Sequence, residues 1–295
     1  MTPTTVGAVG ISVRQFDSVP SGAAPEPGLF HALDALMQRA YRANSFLNQI
    51  HWYTTTLPSS IIVAEDNGRL VGAGCCIAYT DAGFGWIGLI ATEPGDERRG
   101  IGQLVTERTV EFLAAHGCAA VLDASAAGAP LYERMGFHDA GITRVLSLPP
   151  APAAGSSPES PHDVADIAEL DRRAFGVDRA PLLRVILDQS PRRAAVTRDH
   201  NGNATGFVIV RGDTIGPLVA ADDDALAALV GDARAIGAAV GVAQRIAVPP
   251  DTPHLDALFA HGFEPMRELR HMRLGIDTLP GSARTYIGRA SLGVG

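Results

Sequence analysis

The chain has 295 residues, enough for two ordinary domains at roughly 100–200 residues each. A hydrophobic share of 46% against 19% charged residues supports a packed core, and no run reaches the roughly 20 uncharged apolar residues that span a bilayer. The formal net charge of −8 speaks against nucleic acid as the main partner, since phosphate binding wants a basic face; it suits a cationic, amine-bearing substrate, although acidic totals also simply aid solubility.

In chain order, 11–16 predicts a short strand. Residues 29–41 predict a helix, with Leu29, Leu33, Leu36, Met37 and Ala40 on one stripe. A second helix is expected over 45–55. Strands at 61–65 and 69–79 are joined by Asp66-Asn67-Gly68, a hairpin signal. Cys75 and Cys76 sit in the second of these and read as small buried residues; with Cys118 they make no disulfide framework. A third strand covers 84–92. A Gly-rich turn follows, then a helix over 101–116 stopped by Gly117. Residues 119–124 predict a buried strand, 129–135 a short helix stopped by Gly136, and 142–148 a strand.

The Pro/Ala/Ser/Gly stretch at 149–162 reads as a linker. It divides the chain into 1–148 and 163–295. The second part repeats the order in a worn form. Helices are expected at 163–175 and 180–189. A hairpin of 194–198 and 206–210 turns around Asp199 to Asn203, and a strand comes next at 214–219. A helix at 224–239, a strand at 244–248, a short helix at 253–261 and a strand at 266–274 complete it. Met135-Gly136-Phe137 is echoed by His261-Gly262-Phe263, each ending a short helix, so an internal duplication is the economical reading.

The chemistry-bearing segment is the strand ending at Thr92, the turn Glu93-Pro94-Gly95-Asp96, and then Glu97-Arg98-Arg99-Gly100-Ile101-Gly102-Gln103 opening a helix. A strand–Gly loop–helix unit aims several backbone N–H groups at one spot, and the helix dipole with Arg98 and Arg99 adds positive charge there. That is a pyrophosphate cradle. The dinucleotide-binding fingerprint fails, because position 105 is Val where a third Gly is needed. No Walker Lys-Ser/Thr pair is present either. None of the nine His residues falls in an H-x-x-x-H spacing, so no metal is implied.

This loop resembles the hallmark of the GNAT superfamily of acetyl-CoA-dependent N-acetyltransferases, Gln/Arg-x-x-Gly-x-Gly/Ala at a strand–helix junction. Downstream, Leu131-Tyr132-Glu133-Arg134-Met135-Gly136-Phe137 is similar to that family's second motif. The family's leading Gln or Arg is Glu97 here, which shifts the charge pairing to Arg98 and Arg99. Segments around Phe175, Gly216 and Ala290 resemble a bacterial subgroup with a second, diverged acetyltransferase-like domain. The resemblance implies an α/β (α+β) protein of tandem GNAT-like folds, each a mixed, mostly antiparallel twisted sheet flanked by helices. Residues 1–148 would be catalytic and 163–295 degenerate.

The resemblance further implies acetyl-CoA as co-substrate, no metal, and direct attack of a small-molecule primary amine on the thioester. No nucleic-acid or membrane partner is expected, and residues 1–10 lack signal-peptide features, so a cytoplasmic location is the default. Backbone groups of Leu89, Ile90, Ala91 and Thr92 would hold the pantetheine arm. Tyr132 would protonate the leaving thiolate as general acid or, on the plainer reading, only pack against the cofactor. Some relatives carry a Glu base where Trp86 stands; water relay to Glu93 or Asp123 is the alternative here. Their plainer readings are a solvated turn residue and a hydrogen-bonded loop cap. Phe46, His51, Trp52 and Tyr53 would line an acceptor pocket or, more plainly, pack a short helix. In the second part, Asp222-Asp223-Asp224 replaces the Gly/Arg loop and Leu258 stands opposite Tyr132. It would wall the acceptor site or mediate oligomerisation, for instance as a homodimer. The rival readings are a protein or peptide amine acetyltransferase and a non-catalytic acetyl-CoA-binding regulator.

Overall fold

The computed structural model describes residues 4–5, 10–18, 27–55, 57–150, 158–161, 163–238 and 241–295. The linker expected at 149–162 falls largely outside them. The chain divides into two compact units, residues 1–122 with 274–276 and 294, and residues 123–273 with 277–293 and 295.

The first unit holds β1 (Thr4–Thr5), β2 (Ile11–Asp17), α1 (Pro27–Tyr41), α2 (Leu47–Thr55), β3 (Ser59–Asp66), β4 (Arg69–Tyr79), β5 (Phe84–Thr92), α3 (Ile101–Ala115) and the start of β6 (Ala119–Ala124). The strands lie in chain order and pair antiparallel, except that β5 and β6 run parallel. At the predicted hairpin, Asn67 and Gly68 both take positive φ, 49° and 78°, as a two-residue turn matching strand twist requires. Strands β3 and β4 are buried on both faces, which explains their near-continuous apolar sequence. Helix α3 lies on one face, close enough that a Cβ on Gly72 would stand 2.3 Å from the Ile101 side chain. Tyr53 of α2 sits by Cys75 on the other face. Trp52 and Tyr53 are fully buried, so these two aromatics are core.

The second unit holds α4 (Ala129–Arg134), β7 (His138–Leu148), α5 (Ala165–Phe175), α6 (Ala180–Asp188), β8 (Ala194–Arg198), β9 (Ala204–Arg211), β10 (Thr214–Ala220), α7 (Asp223–Ala238), β11 (Gln244–Val248), α8 (Leu255–Ala260), β12 (Glu264–Leu274) and β13 (Tyr286–Gly288). Its sheet order is β12-β7-β11-β10-β9-β8, with β13 on β10. Among the described residues, only β10 and β11 run parallel within it. Leu146, Val208, Leu218, Leu226, Leu229, Ile246, Leu258 and Phe263 fill its core. Arg179 is buried beside Asp171 (Nε–Oδ2 2.7 Å, Nη2–Oδ1 2.9 Å), its guanidinium 3.8 Å from the Phe175 ring centroid. The sequence echo is structural: Phe137 N–H donates to Tyr132 O at 3.0 Å and Phe263 N–H to Leu258 O at 3.1 Å. Gly136 and Gly262 take the positive φ (91° and 83°) that this helix ending requires.

Two features depart from the expected layout. Strand β13 has no sequence signature, and β7 lies between β11 and β12, pairing Leu148 with Gln244 and Ser147 with Glu264. Long-range pairing of this kind leaves no local periodicity to read.

Candidate active site

Strand β5 is regular against β4 until Gly88, where the register shifts and Leu89 takes φ 54°. A β-bulge of this kind re-aims the strand beyond it. On its other edge, β5 pairs with β6 only from Phe84 to Trp86. Gly88, Leu89, Ile90, Ala91 and Thr92 thus run on along an edge without a strand partner among the described residues of the unit. The hydroxyl of Tyr41, at the end of α1, donates to the Ile90 carbonyl at 2.7 Å, and its ring lies 5.5 Å from Phe46. His51 stacks on Phe30 at 4.6 Å.

After Thr92 the chain is tied down by its acids. Glu93 accepts both nitrogens of Arg39, at 2.8 and 2.7 Å. Glu97 folds back to accept from the Gly95 amide at 2.7 Å, so its carboxylate is spent on the turn. Asp96 is bonded by Arg99 and, at 2.8 Å, by Arg69; these guanidinium groups hold its carboxyl below the usual range. Arg99 also reaches Asp66 at 2.7 Å. The two arginines therefore differ. Arg99 braces the loop, while Arg98, exposed and at φ 64°, makes no ion pair with any described residue.

Gly100 enters the helix at φ 80°, with no side-chain cap and nothing within 4 Å of where a Cβ would stand. The first intrahelical bond is Leu104 N–H to Gly100 O at 3.0 Å. The amides of Ile101, Gly102 and Gln103 precede it and face outward, as at any uncapped helix start. An open cradle of amides, a dipole and Arg98, which has no ion-pair partner among the described residues, fits an anionic pyrophosphate.

Tyr132 lies in the second unit, on α4, which Glu133 ties to Arg270 of β12 at 2.6 Å. Its ring meets Phe137 edge-on at 5.8 Å. Its hydroxyl has no hydrogen-bond partner among the described residues, and burial pushes the phenol up to about 12. Asp123 is more deeply committed. Its buried carboxylate takes Arg289, Thr143 Oγ1 at 2.6 Å and His271 Nδ1 at 3.0 Å. Burial opposes its charge, yet Arg289, His271 and Thr143 outweigh that and hold it below its ordinary value. Burial, with Arg289 nearby, holds His271 below the ordinary imidazole value against the opposing pull of the Asp123 hydrogen bond. Sequence reasoning had Asp123 but not His271 or Arg289, which lie 148 and 166 positions away. It also missed Tyr41, whose only signal was an aromatic at the end of a helix.

The model of the acetyltransferase (GNAT) family matches residues 28–137, and that of a further acetyltransferase (GNAT) domain matches residues 167–288. The chain belongs to the GNAT acetyltransferases. Its two GNAT domains stand in tandem, and the loop at 97–102 lies in the first of them. A relative among known proteins is the uncharacterised N-acetyltransferase YitH of Bacillus subtilis, 28% identical; the match spans 60% of this GNAT chain and 65% of that one. Among solved structures, a Pyrococcus horikoshii protein superposes with a TM-score of 0.80 at 22% identity, over 99% of this chain and 98% of that one. A GCN5-related N-acetyltransferase from Sphaerobacter thermophilus gives 0.61 at 13%, over 92% and 98%. A tandem GNAT protein from the clavulanic acid biosynthesis pathway gives 0.62 at 17%, over 88% and 98%. At these identities the likeness is one of fold. Among the described residues no helix is long and apolar enough to cross a membrane, and no cluster of His, Cys, Asp and Glu could hold a metal ion.

Proposed function

We propose that this protein transfers the acetyl group of acetyl-CoA to a primary amine of a small molecule by direct attack. The observation that carries the reading is the junction of β5 and α3. Among the described residues, a bulged strand whose edge has no strand partner runs into an uncapped helix start beside Arg98, which makes no ion pair. Acetyl-CoA would supply the acyl group and a thiolate leaving group. The amides at Ile101, Gly102 and Gln103, with Arg98, would bind its pyrophosphate, and the edge from Leu89 to Thr92 would align its amide-bearing arm. Tyr132 would donate its proton to the departing sulfur, a role suited to a phenol kept protonated by burial. Neither acid proposed as base is free: Glu93 is shared with Arg39 and Asp123 with Arg289. The amine proton would therefore leave through water, with Glu93 as its nearest anion to β5. Asp123 would orient neighbouring side chains and not take protons.

We place the transferase function in residues 1–148, with 149–162 as connector and 163–295 as the worn copy. Release of free thiol from acetyl-CoA across amino sugars, aminoglycosides, polyamines, amino acids and peptides tests the reading. Turnover on a small amine supports it. Turnover confined to peptides would move the substrate class to protein amines. Acetyl-CoA binding with no turnover on any amine would make the chain a regulator.

A further inference from the structure

Each unit contains one parallel strand pair that parts company. In the first, β5 and β6 separate after Trp86↔Val121. In the second, β10 and β11 pair only at Thr214↔Arg245 and Ile215↔Ile246. There the gap is filled. Strand β13 pairs antiparallel with β10 (Leu218↔Gly288, Val219↔Tyr286), and Ala220 N–H donates to Thr285 O at 3.1 Å. On the other side Arg289 N–H donates to Ala247 O of β11 at 2.9 Å.

The fit is tight. A Cβ on Gly288 would stand 2.7 Å from Ile246 Cδ1 and 3.1 Å from Leu218 Cβ, so the segment is wedged between both strands. A Cβ on Gly216 would stand 2.0 Å from the Arg289 carbonyl oxygen. Tyr286, Ile287, Gly288, Arg289 and Ala290 are all buried. Two arginines hold the residues beyond β13, the half-buried Arg211 on the Ala290 carbonyl and the buried Arg179 on Gly295 O at 3.0 Å. At the mouth of the same gap, α7 begins with acids in place of a Gly/Arg loop, and Asp222 Oδ1 accepts from the Ala225 amide at 2.8 Å. The helix start that would receive an anion is already capped by the chain's own carboxylate.

We propose that β13 is a built-in occupant of the second unit's cleft, a peptide strand standing where a GNAT fold would otherwise take the amide-bearing arm of a coenzyme. The cleft is a peptide-binding groove loaded with its own ligand, and the chain takes up one acetyl-CoA, not two. Diverging strands leave buried N–H and C=O groups that need partners, and β13 supplies them permanently. The stoichiometry rests on the function proposed above; the occupancy does not.

Two measurements separate these. Hydrogen exchange read by mass spectrometry on the full chain without ligand should find 216–220 and 286–290 among the slowest-exchanging segments. Exchange of 286–290 at the rate of an exposed loop would overturn the occupancy. Adding acetyl-CoA should slow exchange in 88–103 and leave 214–224 unchanged; slowing in 214–224 would overturn it as well. Equilibrium dialysis should give one acetyl-CoA per chain, falling below one tenth in Gly100→Val. Two per chain, or one retained in that variant, would overturn the proposal. If the wild-type chain binds none, the transferase reading fails, while the ligand-free exchange still decides β13.

Discussion

Replacing Tyr132 by Phe separates a chemical role from a packing role, because the structure makes the two independent. The ring packs edge-on against Phe137 and would do so without its hydroxyl. The hydroxyl bonds no described residue, so removing it breaks nothing in the fold, and stability should stay within about 0.5 kcal/mol of wild type. The phenol is displaced from 10 to about 12. That corresponds to roughly 3 kcal/mol in favour of the protonated form. At pH 8 only about one phenol in 10⁴ would be ionised, so the proton is available across the working range. General acid catalysis typically contributes about 10²- to 10⁴-fold. Tyr132→Phe should therefore lower kcat about 100-fold or more, with KM for acetyl-CoA changed less than about threefold. The assay is thiol release under saturating amine, paired with urea unfolding. A kcat within about twofold of wild type would refute the acid role; a large loss of stability would refute the claim that the hydroxyl is unbonded. The raised phenol also implies no alkaline fall in rate from this group until well above pH 10.

Arg98→Ala should weaken acetyl-CoA binding on the order of tenfold, the size expected for one charged contact, and leave the melting temperature unchanged. Arg99→Ala should instead loosen the loop, seen as faster exchange of 95–100 before any ligand is added. Arg289→Met strands the buried Asp123 carboxylate, and breaking a buried pair costs about 3–5 kcal/mol; the measure is the urea midpoint, with Asp123→Asn/Arg289→Met recovering part of the loss. His271 titrates below its ordinary value, so the unfolded chain takes up its proton first as pH falls. Stability should decline as pH drops below about 6.5, and His271→Gln, if folded, should flatten that decline.

Much of this was legible because it is local. Asp66-Asn67-Gly68 fixes a turn by two positive φ values, and Gly136 and Gly262 end their helices the same way. The cradle could be read because strand, Gly100 and helix are consecutive. The division of labour between Arg98 and Arg99 could not be, since it depends on Asp66, 33 positions away. Nor could the company of Asp123. A carboxylate at a strand end reads the same whether it meets water or a buried arginine, and its partners come from β7, β12 and the segment after β13. Strand β13 is three residues long, too short for any period to show, and its identity as a strand comes from the strand it pairs with.

The position of β7 bears on how the chain is made. Its residues leave the ribosome well before either neighbour: β11 emerges about a hundred residues later, on the order of 5–20 s of synthesis, and β12 later still. Until then both of its edges are bare, and bare edges recruit other chains. The proline-rich stretch expected as a connector lies between β7 and α5 in the sequence, and both of those elements belong to one compact unit. Cutting the gene at that connector would leave the downstream product with a slot between β11 and β12 and nothing to close it. Strand β7 comes early in the sequence of the second compact unit, and the nascent chain has to finish that unit before both edges of β7 are covered.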